Sequence, residues 1–189
     1  MISREEITKI INSGGIGVFP TDTLYGILGR ADMPATVERI YELKDRNLSK
    51  PFIILISSLL DLNIFGIEPS DTDKQILEKF WPGKVSIILK VNDERFGYLT
   101  RGTGSLAFRM PDKKDLLDIL KATGPLVAPS ANPEGEKPAE TIEETKRYFN
   151  AKADFYIDGG RLVGEPSTLI SLKNSEIKIL REGAFKIEL

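Results

Sequence analysis

The amino-acid sequence predicts an α/β fold: a single domain over residues 1–189 in which helices flank a mixed parallel and antiparallel sheet. Three observations carry this expectation. Capped helical segments alternate with short β-branched runs through most of the chain, as in helices layered on a sheet. The last two runs, Thr168 to Leu172 and Ile177 to Leu180, lie so close together that an antiparallel pairing is open to them. A chain of 189 residues with no repeat, low-complexity tract or linker has the length of one domain.

The helices announce themselves by their ends. Ser3 with Glu6 three residues on forms a capping box, Ile7, Ile10 and Ile11 then share one face, and Gly14-Gly15 stops the helix. The same reasoning predicts helices over Pro34 to Lys44, Asp71 to Phe80, Asp112 to Ala122 and Ile142 to Phe149, the last opened by a second box, Thr141 with Glu144. Strands are predicted at Ile16 to Phe19, Phe52 to Ile56, Val85 to Val91, Leu106 to Met110, Asp154 to Ile157, Thr168 to Leu172 and Ile177 to Leu180. The stretch from Pro133 to Pro138 reads as a mobile loop.

Composition narrows the chemistry. With 41% hydrophobic and 29% charged residues the chain is of globular type. It has no Cys and no His, which excludes disulfides, thiolate nucleophiles, Ser-His-Asp triads, Cys/His zinc sites and imidazole acids or bases. A net charge of -2 supplies no global basic field for nucleic acid or anionic lipid. The charged start and the lack of an apolar run near the ~18 residues of a membrane span make a cytoplasmic protein with no membrane partner the expectation.

Chemistry-bearing residues cluster at strand ends. Pro20-Thr21-Asp22-Thr23-Leu24-Tyr25-Gly26 follows the first strand and reads either as a pocket floor or as a plain Asx turn. Lys44, Arg46 and Lys50 bracket a helix end and a strand entry, where cations also serve simply to complement the helix dipole. Arg109 sits inside an apolar strand and needs an anionic ligand or an internal carboxylate. Ser105 precedes it, and Ser130-Ala131-Asn132 forms a small-residue turn. Ser167 and Arg181 fall in segments that also read as hairpin punctuation. Neither Gly83-Lys84 nor Gly15-Ile16-Gly17 completes a Walker A loop or a dinucleotide fingerprint. Cationic forks and hydroxyls without an obvious general base suit a reaction run by positioning and charge neutralisation on a polyphosphate.

Taken together, these segments resemble the YrdC-like family of threonylcarbamoyl-AMP synthases, which act in the t6A modification of tRNA. The resemblance runs from end to end through Pro20 to Gly26, Lys44-x-Arg46, Lys50-Pro51, Trp81-Pro82-Gly83, Arg109-Met110-Pro111, Ser130-Ala131-Asn132, Asp158-Gly159-Gly160, Pro166-Ser167-Thr168 and Leu180 to Ala184. It implies a twisted mixed sheet around a concave, positively lined cavity. The implied substrates are L-threonine, bicarbonate and ATP, with Mg2+ arriving on the phosphates rather than in a protein cage. Lys44, Arg46, Ser130 and Asn132 are the implied catalytic set, with Lys44 on the triphosphate. Arg46, Lys50, Ser105, Asn132 and Arg181 are implied for ATP, and Thr23, Tyr25, Arg109, Ser130 and Ser167 for threonine. No metal ligand is implied. Downstream threonylcarbamoyl-transfer proteins are the implied partners.

Asn47 departs from the proline common at that place in the family, and the length matches the short, single-domain members. Two other readings use the same features: an RNA-binding module, or a regulatory paralogue that keeps the fold and the nucleotide pocket. No aromatic-rich RNA stripe is visible, and the charge of -2 predicts only weak, salt-dependent tRNA binding.

Overall fold

The computed structural model describes residues 2–187. Nine strands form one mixed sheet: β1 Gly17–Pro20, β2 Tyr25–Arg30, β3 Ile53–Leu55, β4 Val85–Lys90, β5 Ser105–Arg109, β6 Leu126–Val127, β7 Phe155–Tyr156, β8 Thr168–Lys173 and β9 Glu176–Arg181. The α-helices among the described residues are α1 Arg4–Asn12, α2 Pro34–Lys44, α3 Asp71–Phe80, α4 Gly97–Thr100, α5 Lys114–Thr123 and α6 Ile142–Phe149, with 3-10 turns at Leu59–Phe65 and Glu94–Phe96. The order across the sheet is β7-β1-β2-β6-β3-β5-β4-β8-β9. Three pairs are parallel (β1 with β7, β3 with β5, β4 with β8) and the other five antiparallel, β8 and β9 forming an antiparallel hairpin.

All five predicted helices form, and their caps explain where they start. At α1, Ser3 Oγ accepts the Glu6 N–H and Glu6 accepts the Ser3 N–H, so the box is complete. At α6 the box is only half made. Thr141 accepts the Glu144 N–H, but the Glu144 carboxylate takes the N–H of Glu140, one residue earlier than expected. Helix α5 begins at Lys114 rather than at Asp112, with no side-chain cap.

Strands β2 and β6 are absent from the strands the sequence predicts. The reason is burial on both faces: Val18 and Phe19, Ile27 and Leu28, Ile54 and Leu55, and Val127 and Leu126 send consecutive side chains into opposite cores. Such strands carry no polar alternation. On one face α1 and α5 pack Ile7, Ile11, Leu116, Ile119 and Leu120 over Phe19, Leu28, Leu55, Leu126 and Phe155. The other core takes Val37 and Ile40 from α2, Leu77 from α3 and Phe149 from α6.

Residues of β2, β3, β4, β5 and β8 line one cavity, so the sheet is concave at one end. Strands β1 and β5 stand four places apart, which in a flat sheet is about 19 Å. Yet Asp22, two residues past β1, meets Arg109 at the end of β5 at 2.7 Å. Curling turns one end of the sheet into a bowl.

Gly17 shows how tight the β1–β7 seam is, because it pairs with Phe155 and a Cβ at position 17 would run into the Phe155 ring. Gly17→Ala should therefore lower stability by about 1 to 3 kcal/mol through overpacking. Urea unfolding checks this, and an unchanged midpoint would mean that the ring yields.

Candidate functional site

The bowl is a cavity of about 480 Å³. Nine of the residues singled out in the sequence line it: Thr23, Tyr25, Arg46, Lys50, Ser105, Arg109, Ser130, Ser167 and Arg181. Its charged lining consists of Arg46, Lys50, Arg109 and Arg181, all cations. They come from three segments, Arg46 and Lys50 from the connection between α2 and β3, Arg109 from β5 and Arg181 from β9, so the positive charge is a product of the fold rather than of one basic run.

The floor is the turn after β1. Thr21 Oγ1 accepts the N–H groups of Thr23 and Leu24 at 3.1 and 3.2 Å and donates to the Leu24 carbonyl at 2.7 Å. This places the Thr23 hydroxyl 3.1 Å from that of Thr21, at the cavity. Tyr25 has a fully buried ring, and its hydroxyl donates to the Gly160 carbonyl at 2.7 Å and accepts the Gly159 N–H at 2.8 Å. Burial raises its pKa. Tyr25 thus lines the wall as expected while fastening the 158–160 turn to β2.

Arg109 pairs with Asp22 through Nη1, each side chain only 5% exposed, and the other Asp22 oxygen accepts the Asp112 N–H at 3.2 Å. Of the two ways to satisfy an inward Arg, the structure uses the internal carboxylate. The pair still leaves a guanidinium on the cavity surface, with Nε buried and unpartnered among the described residues. Asp22 was within reach of sequence reasoning, since a buried arginine calls for a carboxylate. Across the bowl, Ser167 Oγ bonds the fully buried Ser86 Oγ at 2.7 Å, and Arg181 Nη2 donates to the Ser167 carbonyl at 2.8 Å. Nothing in the β4 sequence distinguishes Ser86 from its apolar neighbours except its polarity.

The cationic corner is tied down by Glu134. This carboxylate pairs with Lys50 and accepts the Asn47 N–H at 2.6 Å, and both contacts hold its pKa down. The Pro133 to Pro138 loop is therefore anchored at its start rather than free. Asn47 supplies an N–H that a proline would lack, so the departure at this position has a use here.

Two expected site residues stand behind the wall instead of lining it. Lys44 is 1% exposed, and its ammonium donates to the Ser130 carbonyl at 2.5 Å and to the Asn132 carbonyl. The triphosphate contact expected of it gives way to a strut between α2 and the turn that carries Ser130. A lysine at a helix end reads as exposed in sequence, but here the helix terminus is covered by that turn. Asn132 folds its amide onto its own loop, donating to the Pro133 and Glu136 carbonyls at 2.9 and 2.8 Å. Its Oδ1 is buried without a partner among the described residues, so the expected nucleotide contact is not on the cavity surface.

The family described as Telomere recombination, that of the Sua5, YciO and YrdC proteins, matches residues 9–183. The chain belongs to the Sua5/YciO/YrdC family. It is 31% identical over 180 residues to the threonylcarbamoyl-AMP synthase of Pyrococcus abyssi, covering 94% of this chain and 53% of that protein. To the threonylcarbamoyl-AMP synthase of Nitrosococcus oceani it is 29% identical over 152 residues, covering 80% of this chain and 82% of the relative. The crystal structure of Pyrococcus abyssi Sua5 complexed with L-threonine superposes with a TM-score of 0.87 at 30% identity, over 97% of this chain and 55% of that one. The chain thus spans about half the length of the Pyrococcus abyssi relative. The Sua5/YciO/YrdC fold accounts for the mixed sheet and its flanking helices; the cation-lined bowl is built from this chain's own segments.

Burial, with the Arg46 guanidinium adding to it, pulls the Lys44 ammonium down from 10.5 to about 7. The unfolded chain keeps that proton to about pH 10.5, so between about pH 7 and 10.5 it holds more protons than the folded one and stability rises with pH. The slope from this group is at most about 1.4 kcal/mol per pH unit. Urea unfolding across this window should show it in the wild type, and Lys44→Met should lack it. Parallel slopes in the two proteins would refute the assignment.

Proposed function

We propose that this chain is an L-threonylcarbamoyl-AMP synthase, converting L-threonine, bicarbonate and ATP to threonylcarbamoyl-AMP, pyrophosphate and water. One observation carries the reading: a cavity of about 480 Å³ whose charged lining is cationic and whose polar lining is hydroxyls. That size lies within the range of small-molecule sites. The chain has neither Cys nor His to act as nucleophile or base. A reaction in which the substrates supply the nucleophile fits such a site. The kinship with synthases of this name supports the same reading.

In the proposed sequence, threonine's neutral amine condenses with bicarbonate, releasing water and leaving a carbamate. A carbamate oxygen then attacks the α-phosphorus of ATP, and pyrophosphate departs. Arg46, Lys50 and Arg181 are assigned to draw off the charge that grows on the leaving phosphates. Arg109 meets the threonine carboxylate, its position fixed by Asp22, while Thr23, Ser130 and Ser167 orient the amino acid. Lys44 acts on Ser130 from behind. Ser105 is assigned to the nucleotide.

Magnesium is proposed to enter on the triphosphate and to neutralise part of its charge. Among the described residues no cluster of three or more Asp, Glu, His or Cys side chains offers it a cage, and the hydroxyl and cation lining suits an ion carried by the nucleotide. The product is proposed to pass to proteins that transfer the threonylcarbamoyl group to tRNA, with only weak tRNA contact by this chain. No helix among the described residues is long and apolar enough to cross a membrane.

Pyrophosphate release from ATP, with threonine and bicarbonate omitted in turn, tests the reaction. Release should require both, and release that ignores either would overturn the reading. Within the site, Arg109→Lys keeps the charge beside Asp22 but loses the fork. It should raise the threonine KM about tenfold or more and the ATP KM far less, in line with loss of a charge-assisted bond. Equal shifts in both would reassign Arg109.

A further inference from the structure

Four planar side chains stack in a row that ends at the cavity. The Arg101 guanidinium lies over the Tyr41 ring, 4.2 Å from its centroid. Tyr41 and Phe52 stack at 4.0 Å with 24° between their planes. The Arg46 guanidinium lies over Phe52, 5.3 Å from the ring centroid, and lines the cavity. Both rings are 2% exposed, and Phe52 borders the cavity beside Arg46.

Its outer end is fixed. Arg101 caps α4 and pairs with Glu38 at 2.6 Å, which neutralises the distal cation. The inner end is located in a different way. Arg46 donates from Nε to the Lys50 carbonyl at 3.3 Å, and the same carbonyl accepts the Tyr41 hydroxyl at 3.0 Å. Lys50 is paired with Glu134 and Arg109 with Asp22, whereas no ion pair among the described residues engages Arg46.

We propose that Phe52, braced by Tyr41 and Arg101, is a positioning residue that fixes the Arg46 guanidinium for the nucleotide's polyphosphate. The inference rests on the nucleotide reading of the cavity. A carboxylate would locate a guanidinium but cancel its charge, and a carbonyl would occupy one of its donors. Here the Lys50 carbonyl takes only Nε, while the ring face attracts the cation through its quadrupole and leaves the Nη N–H groups free. Side-chain freedom that Arg46 would otherwise lose on meeting phosphate is already lost against the ring.

ATP dissociation constants, measured by calorimetry on the full chain, test this. Phe52→Leu should weaken ATP binding about three- to tenfold, the scale of one cation–π contact. It should add nothing further in an Arg46→Ala background, and the threonine KM should stay within about twofold of wild type, inside the noise of an indirect effect. Phe52→Tyr keeps the ring and should bind ATP like the wild type. An equal loss with and without Arg46, or no loss at all, overturns the proposal, since ordinary packing damage is indifferent to Arg46. If Phe52→Leu fails to fold, Arg101→Met carries the same cycle, because it removes the outermost member of the row and leaves every cavity residue in place. Wild-type chain that binds ATP but releases no pyrophosphate with threonine and bicarbonate defeats the reaction alone, with the cycle still decisive. Wild-type chain that does not bind ATP defeats both.

Discussion

The Asp22–Arg109 pair is the contact on which the rest of the architecture depends. Two opposite charges buried at this depth tolerate no separation, since removing either partner leaves an uncompensated ion in a poorly solvated place. Their union joins parts of the chain that the strand order holds far apart. The curl it demands brings the turn after β1, the entry to β3, the strand β5 and the 166–167 segment around one space. A flat sheet of the same strands would scatter those residues along an edge.

Within that bowl the chain separates two tasks. Some side chains are proposed to meet the ligand, and others hold the wall of the bowl still. Tyr25 fastens the 158–160 turn, Lys44 the Ser130 turn, Thr21 the Thr23 hydroxyl and Glu134 the Lys50 loop. The proposed reaction draws its nucleophile from its own substrates, so accurate placement is what the protein has to offer, and much of its polar inventory is spent on placement. Preorganised dipoles and charges need no rearrangement as the reaction proceeds.

Much of this is legible in the sequence, for reasons that differ from element to element. The Ser3 box and the apolar face of α1 are local signals, and the structure follows them. Arg109 is legible as a residue in need of an anion because an arginine among Leu106, Phe108 and Met110 has no other resolution, although the choice of Asp22 depends on a curl that no local pattern encodes. Strand β2 is hidden because both of its faces are buried, which erases the alternation that would mark it. Lys44 and Asn132 carry residue types typical of ligand contacts, but whether a lysine faces a cavity or the back of its wall is decided by the turn that covers the end of α2. The Phe52 and Tyr41 stack reads as ordinary core until the guanidinium groups at its two ends are seen.

The way the four cavity cations are balanced has a bearing on how the folded state responds to its surroundings. Lys50 and Arg109 carry their own counter-charges, whereas Arg46 is held by an aromatic face and Arg181 by a carbonyl, so two positive charges face the cavity uncompensated by any ion pair among the described residues. Like charges gathered at one cavity repel one another. A polyanion that settles there relieves that repulsion, and by mass action any ligand of the native state alone shifts the folding equilibrium toward it. Occupancy and conformational stability are therefore one linked quantity in this protein. The proposed nucleotide would thus act on the whole fold through two guanidinium groups.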